Sequence, residues 1–164
     1  VYNYKMNKSE KIEGYELLNL QLKGLLSAQN YTLSNLSNAS ALLNDFLPNQ
    51  VFVGFYLYNG EQLILGPFQG GVSCVEIKLG AGVCGEAAEK RQTLIVDNVK
   101  EHKNYISCDS RALSEIVVPL IKDGELKGVL DLDASETSFY DDVDQKYLEE
   151  FCHILSEMTD WKFF

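Results

Sequence analysis

Cysteines at positions 74, 84 and 108 precede a strand hairpin that carries Glu115, Asp131 and Asp133. Thiols supply nucleophiles and redox pairs. Clustered carboxylates supply protons and a site for a cation. Together they point to thiol redox chemistry on a small cationic substrate. The competing reading is a binding domain whose cysteines are incidental, because most free cysteines are buried small hydrophobes.

The four cysteines differ in setting. Cys152 lies beside Leu148 and Leu155 in an apolar helical stripe, where packing is the expected role. Cys74 follows the loop Gly70-Gly71, and Cys108 lies in the polar run Ser107-Cys108-Asp109-Ser110. Cys84 opens a short helix bracketed by Gly80, Gly82 and Gly85, where a helix N-terminus lowers a thiol pKa and packing competes as an explanation. Which two would pair does not follow from spacing, because a disulfide needs known distances. The spacings do not read as a zinc site, which needs close pairs, and His102 and His153 stand far from any pair. No metal is expected.

The elements that position these residues follow from periodicity. Tyr15, Leu18, Leu22 and Leu25 recur at helical spacing over residues 11–28, with Leu17 and Leu26 widening the stripe. A second helix is expected over 32–47, with Leu33, Leu36, Leu43 and Phe46 on one side and Pro48 ending it. Residues 51–58 switch to period two: Val51, Val53, Phe55 and Leu57 face one way, Phe52, Gly54, Tyr56 and Tyr58 the other. Asn59-Gly60 reads as a hairpin turn into a strand over 62–68. Short strands are expected at 75–79 and 93–96, then a polar connection over 97–110. A hairpin spans 115–133, and a helix from Asp141 carries Val143, Tyr147, Phe151, Ile154, Leu155 and Met158. Hairpins make the sheet antiparallel, and helices at both ends cover one face, which is an α+β sandwich.

The register of the second hairpin decides where the acids fall. A two-residue Asp123-Gly124 loop pairs Lys122 with Glu125, opposes Ile116 to Asp131 and puts Glu115 on the face away from both aspartates. A three-residue loop with Gly124 left-handed pairs Ile121 with Glu125 and opposes Glu115 to Asp131. It gathers the three acids on one face and Ile116, Val118, Leu120, Leu130 and Leu132 on the other. That clean segregation makes it the expected register. Like charges opposed across strands destabilise, so either solvent screens the acids or a cation fills the site.

Composition narrows the classes. At 164 residues and 46% hydrophobic, with eight Phe and nine Tyr, the chain fits one domain with a sizeable core. Residues 1–10 read as a flexible polar segment and 11–164 as the domain. The net charge of −10 argues against nucleic acid and anionic membranes. Apolar runs are too short to span a bilayer. Four cysteines without a secretory signal are expected as reduced thiols in the cytoplasm.

Four stretches carry a family resemblance: LSNASALL (36–43), VGFYLYNGEQLILGPFQG (53–70), CVEIKLGAGVCGEAA (74–88) and SEIVVPLIKDGELKGVLDLDA (114–134). The chain resembles the free methionine-(R)-sulfoxide reductases, which are single GAF-domain enzymes, over roughly residues 15–155. The resemblance implies an antiparallel sheet of about six strands, with the terminal helices on one face and the ligand pocket on the other. It implies that Cys108 is the catalytic cysteine, Cys74 the resolving one, and Cys84 a third, less essential or alternative partner. It casts Glu115, Asp131 and Asp133 as the groups that hold the substrate's ammonium and sulfoxide, and Phe52 and Tyr56 as pocket aromatics. Phe52 stands where the family usually has Trp, and Tyr105 where many members have His.

The implied reaction is thiol-dependent reduction of free L-methionine-(R)-sulfoxide to methionine. It passes through a Cys108 sulfenic acid and a Cys74–Cys108 disulfide. Thioredoxin, supplied by NADPH, recycles the disulfide, no cofactor is bound, and the assembly is a homodimer. The other class of function is a non-catalytic GAF module that binds a small ligand. Cys74, Cys108 and three acids together are more than binding needs.

Overall fold

The computed structural model describes residues 6–28 and 31–162. Of the flexible segment expected over 1–10, residues 1–5 lie outside the described residues, and 8–10 are helical instead. Helix α1 spans Lys8–Ala28 and starts three residues before the expected Lys11. There follow α2 (Thr32–Phe46), β1 (Gln50–Tyr58), β2 (Gln62–Gly70), β3 (Glu76–Lys78), α3 (Gly82–Lys90) and β4 (Leu94–Val96). A 3-10 turn at Val99–Glu101 leads to β5 (Ser114–Lys122), β6 (Glu125–Ala134) and α4 (Asp142–Met158). The six strands form one antiparallel sheet in the order β3-β2-β1-β6-β5-β4, as expected from the hairpins.

The period-two strands divide two cores. Val53, Phe55, Leu57, Ile116, Val118, Leu120, Leu130 and Leu132 pack under α1, α2 and α4. Phe52, Tyr56, Val117 and Val129 face the other way, against Val83, Cys84 and Ala87 of α3. Each fully buried Leu or Phe contributes about 1.5–3 kcal/mol. The α1 stripe is narrower than expected. Tyr15, Leu18, Leu22 and Leu26 are buried, whereas Leu17 and Leu25 point outward with 58% and 44% exposure. Leu33 of α2 also faces out.

The β5–β6 turn corrects the expected register. Asp123 and Gly124 both have positive φ, 53° and 76°, and Lys122 pairs with Glu125, so the loop has two residues. Asp tolerates this region, and such a turn follows the sheet's twist. The ladder then slips between Leu120 and Ile121: Ile121 pairs with Leu126 and Leu120 with Gly128, which leaves Lys127 as an extra residue. This bulge restores the face segregation that the two-residue turn alone would have lost. Glu115 therefore opposes Asp133, and Val117 opposes Asp131. The acids share a face, by a turn plus a bulge rather than a longer loop.

A buried polar network joins the terminal helices. Asp141 caps α4 by accepting from the N–H groups of Val143 and Asp144, and Asp144 accepts in return from the Asp141 N–H. Asp144 also accepts from Tyr15 Oη and Lys11 Nζ, each at 2.5 Å. Tyr15 stacks on Tyr147 with centroids 5.5 Å apart. Burial pushes Asp144 upward, and the Lys11 and Tyr15 hydrogen bonds pull it back. Asp144→Ala strands a buried hydroxyl and a largely covered ammonium. The expected loss is about 3–5 kcal/mol in urea unfolding; a loss below about 1 kcal/mol would show that α1 and α4 associate through apolar packing alone.

Candidate active site

The acids come from the middle of the sheet. Asp131 sits beside Gly54, and Asp133 lies between Phe52 on β1 and Glu115 on β5. Glu115 and Asp131 are 6% and 4% exposed, while Asp133 keeps a partial opening. Helix α3 lowers Cys84 onto them. Gly85 permits this, because a Cβ there would run into the Lys78 carbonyl. Cys84 Sγ lies 3.9 Å from Glu115 Oε2.

Burial is the main force on this cluster. Two unit charges about 5 Å apart repel by about 3 kcal/mol at an effective dielectric of 20, and desolvation adds to that. Burial, then Asp131 and Asp133, holds Glu115 well above its ordinary value. Burial, then Asp131, does the same to Asp133. Asp131 is also raised by burial, but hydrogen bonds from Glu115, Asp133 and Cys84 oppose the rise. The arrangement favours protons on Glu115 and Asp133 around an ionised Asp131. Asp131 Oδ1 is buried with no partner. Cys84, Glu115 and Asp131 offer donor atoms within 4.8 Å of one another, the cation-like arrangement found among the described residues. One ammonium group would satisfy the same acceptors.

The cysteines separate clearly. Cys74 and Cys108 form a disulfide with Cα atoms 5.3 Å apart. Cys84 and Cys152 are free and buried. Burial, then Asp131 and Glu115, raises the Cys84 thiol well above its ordinary value. Of the two readings open for Cys84, packing prevails over thiol activation by the helix: burial first, and then the carboxyl cluster, outweigh the helix N-terminus. Cys84 is a thiol at neutral pH and a weak nucleophile. Cys152 packs in the core, as expected.

Phe52 forms an apolar wall, stacked on Phe68 at 5.2 Å and Tyr56 at 6.1 Å. Tyr56 lines the pocket and also reaches beyond it. Its hydroxyl donates to the Cys74 carbonyl at 2.9 Å and bonds Ser73 Oγ at 2.8 Å. It thus fixes the loop that presents Cys74. Tyr105 lines the same pocket, and burial followed by Glu115 pushes its phenol up to about 12. With the disulfide closed, the enclosed space between these walls is ≈ 30 Å³.

Sequence reasoning missed the ties on the Cys108 loop. Arg111 pairs with Asp109 at 2.7 Å and lies over Gly71, so it links the two cysteine loops. His102 and Asn104 both bond Glu86 of α3, at 3.0 and 2.7 Å. The Asp-Ser-Arg run after Cys108 carried a local signal, since the Arg111 N–H bonds Asp109 Oδ1 in a tight turn. The ties to α3 had none.

The GAF-domain family model matches residues 39–160. GAF domain-containing protein A of Dictyostelium discoideum is 42% identical over 151 residues, which is 92% of this chain and 95% of that protein. Free methionine-R-sulfoxide reductase of Saccharomyces cerevisiae is 38% identical over 169 residues, 98% of this chain and 92% of that protein. The X-ray structure of free methionine-R-sulfoxide reductase from Neisseria meningitidis in complex with its substrate superposes with a TM-score of 0.89. It is 35% identical and covers 98% of this chain and 97% of its own. On these matches the chain belongs to the GAF-domain family of free methionine-R-sulfoxide reductases, which are oxidoreductases.

Proposed function

We propose that this protein reduces free L-methionine-(R)-sulfoxide to methionine. The observation that carries the reading is the Cys74–Cys108 disulfide against a pocket lined by Glu115, Asp131 and Asp133. In the reduced protein, Cys108 attacks the sulfoxide sulfur. A proton from Glu115 or Asp133 goes to the departing oxygen. The protonated oxygen passes from the methionine sulfur to the Cys108 sulfur as the transient bond between the two sulfurs breaks, so that methionine leaves and Cys108 holds a sulfenic acid. Cys74 then attacks that sulfur, water leaves, and the disulfide closes.

Asp131, the acid most easily ionised, holds the substrate's α-ammonium. This charge explains selectivity for the free amino acid: a peptide-bound residue lacks the cation and would leave Asp131 Oδ1 unpaired. It also sets the order of events. The anionic cluster disfavours a standing Cys108 thiolate, and the incoming cation offsets that field before attack. Phe52 and Tyr56 wall the methylthio end.

Thioredoxin, supplied with electrons by NADPH, is the proposed reductant, and the cytoplasm the proposed location. No helix among the described residues is long and apolar enough to cross a membrane. The proposed assembly is a homodimer, for which Leu17, Leu20 and Leu33 supply exposed apolar surface on α1 and α2.

The test supplies purified protein with free methionine-R-sulfoxide, thioredoxin, thioredoxin reductase and NADPH. Stoichiometric NADPH oxidation and methionine formation are expected, with the S epimer inert. Tight binding of the amino acid without turnover would overturn this reading and favour a GAF sensor.

A further inference from the structure

The two sulfurs of the disulfide face different surroundings. Cys108 lines the acid pocket together with Glu115, Asp131 and Asp133. Cys74 does not line it; its carbonyl and the neighbouring Ser73 hydroxyl are turned inward to Tyr56, while Val75 on its other side and Val72 point out. Val72 is 88% exposed and Val75 63%, the two largest exposures of apolar side chains beside either cysteine. Neither valine packs in either core. Ile106, from the Cys108 loop, adds a third exposed apolar group.

Charge sets this patch apart from the rest of the molecule. The stretches 71–79 and 102–111 that surround the disulfide carry Lys78, Lys103 and Arg111 against Glu76 and Asp109. The whole chain carries −10. Asp109 is neutralised by Arg111, whose guanidinium is exposed beside Gly71 and hence beside Val72. The rim is therefore apolar at its centre and slightly cationic at its edge, on an otherwise acidic protein. Such a rim suits an acidic protein with an apolar face around its own thiol pair.

We infer that Val72 and Val75 form the docking surface for an acidic dithiol protein whose thiolate attacks the sulfur of Cys74, not Cys108. The inference rests on the reading of Cys74–Cys108 as a recycled disulfide. Attack at Cys74 forms a mixed disulfide and expels Cys108 as a thiolate into the pocket, where a protonated carboxyl of the cluster neutralises it. The partner's second thiol, as thiolate, then attacks the partner's own sulfur and releases Cys74 as a thiolate, which takes up a proton. Two electrons have passed to the cysteine pair, and the partner leaves as a disulfide.

The experiment follows reduction of the preformed disulfide by thiol alkylation and mass measurement, with no sulfoxide present. Thioredoxin and dithiothreitol are compared on the wild type, Val72→Asp, the double variant Val72→Asp/Val75→Asp, and Tyr31→Asp as an exposed control just before α2. For thioredoxin, the double variant is expected to lose about tenfold or more in second-order rate, with the single variant intermediate and the control unchanged. Dithiothreitol rates stay within about twofold throughout. Unchanged thioredoxin rates in the double variant would overturn the docking surface, as would equal slowing with dithiothreitol. A thioredoxin lacking its second cysteine is expected to be trapped on Cys74; trapping on Cys108 overturns the choice of sulfur. If docking behaves as expected while methionine sulfoxide is not turned over, the proposed substrate is wrong and the docking surface stands.

Discussion

Cys108→Ser lowers kcat/KM for free methionine-R-sulfoxide by at least about 10⁴-fold, the scale expected when a covalent nucleophile is removed. A serine hydroxyl in an anionic pocket stays protonated, and its oxygen attacks sulfur poorly. It also has no oxidised state that could carry the sulfoxide oxygen away. The other thiols behave differently. Cys74→Ser supports about one turnover per site and then stalls, with a sulfenic acid on Cys108 that dimedone traps. Cys84→Ser keeps activity within about tenfold, because the buried acids hold that thiol protonated. The coupled NADPH assay and mass spectrometry of the trapped adduct read all three. Residual Cys108→Ser activity above a tenth of wild type would move the nucleophile elsewhere, with Cys84 the next sulfur in the pocket.

Asp131→Asn separates binding from stability. The variant loses the anion that meets the substrate's ammonium. Removing one partner of a buried charge pair costs about 2–5 kcal/mol, so KM rises about 30-fold or more while kcat falls less. The unliganded fold responds in the opposite sense. Glu115, Asp131 and Asp133 all have pKa values raised on folding, chiefly by burial. In the native protein Glu115 and Asp133, raised further by the Asp131 charge, hold protons that the unfolded chain has lost. Their contribution to stability is therefore greatest below the ordinary carboxylate value near 4 and declines as pH rises through the raised values. Asp131→Asn relieves this decline, so its urea midpoint at pH 7–8 is expected to equal or exceed that of the wild type, and its loss of stability from pH 5 to 8 to be shallower. A variant less stable than the wild type at pH 8, with unchanged KM, would mean that Asp131 is a structural residue rather than the cation site.

Much of this was legible in the chain because sheet faces obey a parity rule. The alternation of Phe52 and Tyr56 against Val53 and Phe55 told which side each took, and the segregation around Ile116 and Leu130 told that the three acids shared a face. The means was hidden. A two-residue turn followed by a bulge at Lys127 gives the same parity as a longer turn, so the pattern could not tell them apart. The α1 stripe was read too wide because Leu17 and Leu25 are apolar without being covered. The two readings of Cys84 stayed open for a different reason. Its helix position is local, but the carboxyls that govern it arrive from β5 and β6. The setting of the Cys108 loop by Glu86, His102 and Asn104 is likewise long-range and leaves no period to detect.

The small space behind the disulfide has a kinetic meaning. Cys74 and Cys108 are 34 residues apart in sequence, and their bond draws two loops over the acids until ≈ 30 Å³ remains. That holds about two water molecules, far too few to leave room for an amino acid. The oxidised protein is therefore expected to bind the amino acid poorly. On the proposed cycle, oxidation and re-reduction are then expected to alternate, with little sulfoxide or methionine in the pocket while the reductant works. The bond that ends one half of the cycle also clears the stage for the other.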